Sequence, residues 1–375
     1  MQIALISVAP PYRGGISKHT SILTEYLSKK HSVDLINYSR QYPDFLFPGK
    51  SQFLGNKLDN FPGHRWIDSM NPLSWFKTGN KLGKKNYDLI IFRFWNPFFA
   101  PALGTIAGII KKKSPKTKLM SLCDNILPHE RTPLGNFFTN YLFQKLDGHL
   151  VQSSQTEGDL QEVLDYPIYE KRFHPVYNTF PKKIDKNTAK NKLGLKAENI
   201  ILYFGIIRDY KGFDILLKAV SILKNKMTDF HLLAGGECYG SEDKYTKIIS
   251  DLGISDFITW HNRYIPDQDV SIYFSAADVV ALPYRTASQS GITQIAYYYD
   301  LPVIVTNVGG LPEIVDEGKS GFTISPENPE ELVAVLAENI GNSTFSDMSK
   351  YITSFKEKFS WEHFVDGIET VYNRI

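Results

Sequence analysis

Residues 200–224 read IILYFGIIRDYKGFDILLKAVSILK, and this stretch decides the fold. The apolar and aromatic run from Ile200 to Phe204 predicts a buried strand, and the apolar positions of residues 213–224 recur at helical spacing. Between them lies a short loop with Gly205 at one end and Gly212 at the other. A strand, a glycine-bearing loop and a helix form the βα unit from which helix-covered parallel sheets are built.

The same alternation continues on both sides of this stretch. An aperiodic segment at 166–183 with three prolines is interpreted as a linker. The sequence therefore predicts an α/β protein with two Rossmann-like parallel-sheet domains, residues 1–180 and 181–360. Ligands of such sheets bind beyond the carboxyl ends of the strands, so two facing crevices would form one cleft. Strands are predicted at 2–8, 33–38, 89–94, 118–122, 148–153, 200–204, 230–234, 258–260, 279–282 and 303–306.

Composition narrows the class of protein. A chain of 375 residues is longer than one hydrophobic core usually grows. Its only cysteines, Cys123 and Cys238, have no metal-ligand or redox spacing, and no apolar run approaches the roughly 18 residues of a spanning helix. We therefore expect a cytoplasmic protein, either soluble or peripheral on the inner face of the membrane.

Charge is unevenly distributed along the chain. Residues 1–180 carry 22 Lys and Arg against 14 Asp and Glu, whereas the remainder carries 20 against 26. The basic half suits an anionic membrane surface, and a solvated basic face is the alternative. Residues 66–85 mix Trp, Phe and Leu with lysines, as an interfacial helix does, although a buried amphipathic helix has the same pattern. No nucleic-acid-binding module is recognisable, so nucleic acid is not an expected partner.

Two loops contain residue types suited to phosphate. Gly14 and Gly15 follow the first strand, where the missing Cβ atoms let backbone N–H groups approach a phosphate or sugar, although they could simply form a tight turn. Arg208 and Lys211 lie three residues apart after the strand at 200–204. Fixed positive charge there would stabilise a diphosphate leaving as an anion, and a solvated loop is the alternative.

Six segments in order carry a resemblance to a known family. They are the glycine turn, DNILPHE at 124–130, residues 205–212, AADVVALPY at 276–284, LPVIVT at 301–306 and VGGLPE at 308–313. Together they make the chain resemble glycosyltransferase family 4, whose members have the GT-B fold of two Rossmann-like domains facing each other across a cleft. The resemblance also implies that a last helix, residues 361–375, packs back on the first domain.

The resemblance implies an activity. A retaining hexosyltransferase would take a hexose from a UDP or GDP sugar, without a metal cofactor, and transfer it to a glycan or lipid-linked acceptor in surface polysaccharide or glycoprotein assembly. The donor would bind mainly to the second domain and the acceptor to the first. The alternative is a non-catalytic nucleotide-sugar-binding protein or partner subunit. A nicotinamide dehydrogenase is disfavoured because no Gly-x-Gly-x-x-Gly follows a strand.

Four residues are the catalytic candidates that the resemblance implies. Arg208 and Lys211 would bind the donor diphosphate. His129 resembles a histidine that contacts the donor sugar, and a satisfied structural histidine is the alternative. Asp124 would orient an acceptor hydroxyl, or it caps a turn. The Asp-x-Asp at 267–269 opens a predicted helix, where capping explains it better than a metal.

The chain departs from the family at its Glu-x7-Glu motif, whose positions fall on Ala287 and Ile295. The loop here instead contains Gln289, which suits sugar hydroxyls, and the Ser290, Gly291 and Ile292 amides, which would hold phosphate at a helix start. Gln294 is the candidate ribose partner. The loop with Arg263, Tyr264 and Ile265 resembles the segment that lines the nucleobase, and a plain strand-to-helix connection is the alternative.

Overall fold

The computed structural model describes residues 1–43, 52–53, 63–127 and 133–375. It divides the chain into two compact units, Met1–His174 with Trp361–Ile375, and Pro175–Ser360. The first boundary falls after residue 174 rather than after 180. Val176 N–H donates to Phe359 O (2.9 Å), which ties the middle of the predicted linker to the second unit.

The first unit is built on a parallel sheet with strand order 3-2-1-4-5-6-7. β1 pairs with β2 on one side and with β4 on the other, so the direction of winding reverses between β1 and β4. This switch point is where open α/β sheets bind ligands. The strands are β1 Gln2–Ile6, β2 Ser32–Arg40, β3 His64–Asp68, β4 Leu89–Phe94, β5 Lys118–Cys123, β6 Gly148–Val151 and β7 Tyr169–Lys171. The helices between them are α1 Gly15–Ser28, α2 Pro72–Leu82, α3 Ala100–Lys113, α4 Pro133–Phe143 and α5 Ser154–Val163.

The second unit repeats this plan with strand order 10-9-8-11-12-13, again parallel. Its switch point lies between β8 and β11, which pair directly. The strands are β8 Asn199–Phe204, β9 Phe230–Gly235, β10 Ile258–His261, β11 Val279–Leu282, β12 Val303–Thr306 and β13 Gly321–Ile324. The helices are α6 Lys186–Leu193, α7 Phe213–Leu223, α8 Glu242–Asp251, α9 Asp267–Ala276, α10 Gly291–Tyr298, α11 Pro329–Asn339 and α12 Thr344–Phe355.

The last helix, α13 (Trp361–Arg374), belongs to the first unit although it follows the second in the chain. It packs on α1, β6 and β7. Phe364, Ile368 and Val371 are buried, as their helical spacing predicts. The approach is close, because a Cβ on Gly148 of β6 would lie 2.5 Å from Val371 Cγ1.

In the second unit, backbone contacts at glycines join the loops that follow neighbouring strands. A Cβ on Gly212 would lie 1.9 Å from Pro283 O, which joins the loop after β8 to the loop after β11. A Cβ on Gly309 would lie 1.5 Å from Ala287 O, which joins the loop after β11 to the loop after β12. No side chain fits at either contact, so these three loops hold one another in place.

We expect Gly212→Ala to lower the free energy of unfolding by about 3 kcal/mol. The alanine would have to adopt a left-handed backbone conformation, and its Cβ would clash with Pro283 O. Gly194→Ala is the matched control. Gly194 has a similar φ of 69° but open space where its Cβ would be, so about 1 kcal/mol should be lost. Urea unfolding of both variants measures the difference, and equal losses would contradict the role of the Pro283 contact.

Candidate functional site

The loop after β8 presents the two predicted cations. Arg208 has an extended backbone, residues Asp209–Lys211 form one 3-10 turn, and Gly212 then begins the turn into α7. The Asp209 carboxylate accepts from Lys244 Nζ (2.6 Å) and Tyr245 Oη (3.2 Å). The acidic residue between the two cations is thus bound by other partners.

Neither cation is paired with a carboxylate among the described residues. Lys211 Nζ donates to Tyr284 Oη (3.2 Å), and the Arg208 guanidinium lies 5.1 Å from the centre of the Tyr239 ring. Burial lowers the pKa of Lys211, but the neighbouring Tyr284 and Tyr210 raise it more, so this pKa lies above its usual value. Lys211 is therefore a charged group that has no carboxylate counter-ion within the described ranges, which suits an anionic ligand.

The start of α10 lies beside Lys211. Ser290 is the N-cap of this helix, and its Oγ accepts from Ile292 N–H (3.3 Å). A Cβ on Gly205 would lie 3.2 Å from Ile292 Cδ1 and 3.9 Å from Lys211 Nζ, so the two groups flank the same glycine. The structure thus brings Lys211, Ser290 and Ile292 together. A helix N-terminus next to an unpaired ammonium is suited to bind phosphate.

Three polar side chains on and before α10 have buried atoms that find no hydrogen-bond partner in the described part of the chain. They are Gln289 Oε1, Thr293 Oγ1 and both amide atoms of Gln294, and the last two residues are fully buried. An unsatisfied buried polar group costs about 1–3 kcal/mol. A ligand or ordered water with complementary groups would recover this free energy. Ala287 and Ile295, at the glutamate positions of the family motif, are buried.

The predicted nucleobase loop follows β10, two strands away from β8 in the sheet. Arg263 N–H donates to His261 O (2.8 Å), and Asn262 Oδ1 accepts from Cys238 N–H (2.8 Å), which ties this loop to the loop after β9. Arg263 and Tyr264 are exposed, whereas Ile265 is buried. The loop is therefore anchored by one backbone hydrogen bond and by the Asn262 side chain, and it leaves the side chains of Arg263 and Tyr264 exposed.

In the first unit, the predicted glycine turn leads directly into a helix. Gly14, with φ 115°, is the N-cap of α1, and Gly15 is its first residue. Within the described part of the chain, no atom beyond its sequence neighbours and its own helix lies within 4 Å of the position that a Gly14 Cβ would take. His129 lies outside the described residues.

Asp124 is held in a buried ion pair that the sequence interpretation did not include. Arg93 Nε and Nη2 donate to its two carboxylate oxygens (2.6 Å each), and Gln152 Nε2 also donates to Oδ1 (2.9 Å). Arg93 Nη1 donates to His19 Nδ1 (2.7 Å). The network therefore links β4, the ends of β5 and β6, and α1. The sequence does contain one sign of this pair, because Arg93 interrupts the apolar run of β4 and a buried charge requires a partner.

His19 is buried and neutral within this network. Burial, then the charges of Arg93 and His174, lower the pKa of His19 well below its usual value. Its Nε2 has no hydrogen-bond partner in the described ranges, and the centres of the His174 and Trp361 rings each lie 4.7 Å from its ring centre. The histidine thus connects the polar network to the aromatic residues where the chain leaves and re-enters the first unit.

The first unit exposes apolar side chains on two helices. Leu73 (69%) and Phe76 (52%) lie near the start of α2, and Leu134 (67%) and Phe137 (65%) near the start of α4. Both helices pack against α3, which lies between them. Residues 66–85 thus include the end of β3 and the helix α2, which packs one face on α3 and exposes apolar side chains on the other.

The described residues contain neither a helix that could span a membrane nor a cluster of metal-ligand side chains. No described helix combines the length and apolar character required to cross a bilayer. Nor do His, Cys, Asp and Glu side chains gather in threes as metal ligands in this part of the chain. Asp267 and Asp269 lie in the first turn of α9 after its N-cap, Pro266, where their negative charges interact favourably with the helix dipole.

We expect Asp124→Asn to lower the free energy of unfolding by about 3–5 kcal/mol, because it leaves the buried Arg93 charge unmatched. The double variant Arg93→Met, Asp124→Leu should recover most of this loss, since apolar residues replace both charges. Urea unfolding measures each. Full stability of Asp124→Asn would show that the ion pair does not support the fold.

Comparisons with known proteins indicate the family of this chain. Residues 185–371 match the family described as Glycosyl transferases group 1. An uncharacterised glycosyltransferase of Methanocaldococcus jannaschii is 23% identical over 100% of this chain and 99% of its own length. The D-inositol 3-phosphate glycosyltransferase of Mycolicibacterium gilvum is 31% identical, but this chain spans only 43% of that relative.

Solved structures match over the whole chain. Sucrose-phosphate synthase from Thermosynechococcus elongatus has a TM-score of 0.76 at 18% identity, with 100% of this chain and 98% of that one covered. Anabaena HepE, solved in complex with UDP and glucose, has a TM-score of 0.69 at 15% identity, with both chains fully covered. These likenesses confirm the predicted GT-B fold with its two Rossmann-like domains. The chain is thus a glycosyltransferase that belongs to the Glycosyl transferases group 1 family.

Proposed function

We propose that this chain is a retaining, metal-independent hexosyltransferase of family 4. It takes a hexose from a UDP or GDP sugar and transfers it to a glycan or lipid-linked acceptor in surface polysaccharide or glycoprotein assembly. One observation carries the proposal: Arg208 and Lys211 remain unpaired with carboxylates among the described residues, and Lys211 lies beside the start of α10. This arrangement suits the diphosphate of a nucleotide sugar.

The chemistry follows from where negative charge develops. The bond between the anomeric carbon and the diphosphate oxygen breaks, and the diphosphate leaves with its electron pair. Arg208, Lys211 and the amides at the start of α10 stabilise that charge, which is the part that a metal ion plays in other transferases. The acceptor hydroxyl forms the new bond on the same face, and its proton passes to the departing phosphate. Asp124 is then not required as a base.

The donor is supported by both the site and a relative's structure. Anabaena HepE binds UDP and glucose, and its fold covers this whole chain. The unsatisfied amides of Gln289 and Gln294 match the hydrogen-bonding groups of a sugar and a ribose, which are rich in hydroxyls. We therefore assign Gln289 to the hexose and Gln294 to the ribose.

A nucleotide-sugar-binding protein without turnover is the second candidate. The observation that favours it is the burial of Ala287 and Ile295 where the family has glutamates. Such a protein would bind UDP or GDP sugars and consume none. Measured transfer, or slow hydrolysis of the donor, separates this candidate from the transferase.

We expect Arg208→Ala and Lys211→Ala each to slow transfer by about 10²-fold, as the loss of a donor to a developing anion does in other enzymes. Lys218→Ala is the matched control, because Lys218 is an exposed cation on α7. Turnover of UDP-glucose and GDP-mannose by each variant is the measurement. Wild-type turnover in both site variants at saturating donor would refute the diphosphate assignment.

A lipid-linked acceptor would place the first unit at a membrane. The exposed Leu73, Phe76, Leu134 and Phe137 lie near the starts of helices that follow strands, hence at the carboxyl edge of the sheet. Lys77 and Lys81 are exposed on α2 beside them. Apolar side chains with nearby lysines suit a bilayer that contains anionic lipids.

We expect the Leu73→Ser, Phe76→Ser double variant to reduce binding to phosphatidylglycerol-containing vesicles by about tenfold or more, because two large apolar side chains no longer insert. The control is Tyr166→Ser. Tyr166 is fully exposed but precedes β7, at the opposite edge of the sheet. Co-sedimentation with vesicles measures binding, and equal binding by all three proteins would exclude this face.

A further inference from the structure

Tyr284 is a buried tyrosine two residues after the end of β11, and its hydroxyl lies between two groups of the phosphate site. Only 2% of the residue is exposed. Its backbone is fixed on both sides, because Tyr284 N–H donates to Leu282 O (2.9 Å) and Thr306 Oγ1 donates to Tyr284 O (2.5 Å). The position of the ring is therefore set by the sheet.

The hydroxyl contacts Lys211 and approaches α10. Lys211 Nζ donates to Tyr284 Oη (3.2 Å) and lies 4.8 Å from the centre of the Tyr284 ring. Tyr284 Oη lies 3.5 Å from Ser290 Oγ, the N-cap of α10. One rigid side chain thus lies against both the ammonium and the helix start.

The contact with Tyr284 restrains the Lys211 ammonium and leaves its positive charge available to a ligand. A lysine has a flexible four-carbon stem, and an unrestrained ammonium would occupy many positions. A carboxylate partner would hold it but would also cancel the positive charge that a leaving diphosphate requires. A neutral hydroxyl and an aromatic ring face hold the ammonium without cancelling its charge.

We infer that Tyr284 is a positioning residue for the diphosphate of the donor. It holds the Lys211 ammonium at a fixed distance from the Ser290 helix start, so that both act on the same nucleoside diphosphate. This inference rests on the proposed function, because it deepens the assignment of that site. Tyr284 acts through Lys211 and needs no bond to the ligand itself.

The test is Tyr284→Phe, which removes the hydroxyl and keeps the ring. We expect affinity for UDP or GDP, measured by calorimetry, and kcat/KM for the donor each to fall about tenfold, the size expected for one hydrogen bond to a charged group. The matched control is Tyr203→Phe. Tyr203 is also fully buried in the second unit, but its hydroxyl bonds to none of the described residues, so its loss should leave both quantities unchanged.

A double-mutant cycle separates positioning from a structural effect. In a Lys211→Met background, Tyr284→Phe should cause no further loss of affinity or rate, because the group that it positions is gone. A further tenfold loss in that background, or wild-type behaviour of Tyr284→Phe alone, would overturn the inference. Thermal unfolding of each variant shows whether the fold is intact.

The outcome also distinguishes this inference from the proposed function. A wild-type chain that binds UDP or GDP, with Tyr284→Phe binding equally well, would overturn the positioning role alone. A wild-type chain that binds neither nucleotide nor inorganic pyrophosphate would overturn the phosphate site, and the positioning role with it.

Discussion

The second unit depends on backbone contacts between the loops at the carboxyl edge of its sheet. At Gly212 and Gly309 the chain approaches the carbonyl oxygens of Pro283 and Ala287 too closely for any side chain. Because these loops follow β8, β11 and β12, the contacts transmit the rigidity of the sheet to Arg208, Lys211 and the start of α10. A site that stabilises charge in a transition state requires such fixed groups, since mobile ones would reorganise as the charge develops.

Much of the fold was predictable from the spacing of apolar residues. The long strands and helices, and α13, have clear periodicity, so their existence followed from local sequence. The short β7 did not, because its three residues show no period and pair only with β6. Helix α6 is polar and has no apolar periodicity, but the sequence contains residue types typical of both its caps. Asp185 Oδ2 accepts from Thr188 N–H (2.8 Å), and Gly194 ends the helix in a left-handed conformation.

The candidate site was predictable only where its chemistry is local. Arg208 and Lys211 share one loop, and Ser290 opens a helix, so both features could be predicted from the sequence. Tyr284 lies in an apolar segment, where a tyrosine is usually a core residue. Only the tertiary structure places its hydroxyl beside Lys211. The Arg93 and Asp124 pair joins residues on separate strands, which no local pattern specifies.

The position of α13 has a consequence for biosynthesis. This helix completes the first unit, yet the ribosome makes it only after the whole second unit. Until then the surfaces of β6, β7 and α1 that α13 covers, and the His19 ring against Trp361, remain exposed to water. The second unit is contiguous in sequence and can reach its native contacts during translation. The nascent first unit, by contrast, exposes an apolar surface until α13 is synthesised. We therefore expect molecular chaperones to bind the first unit rather than the second.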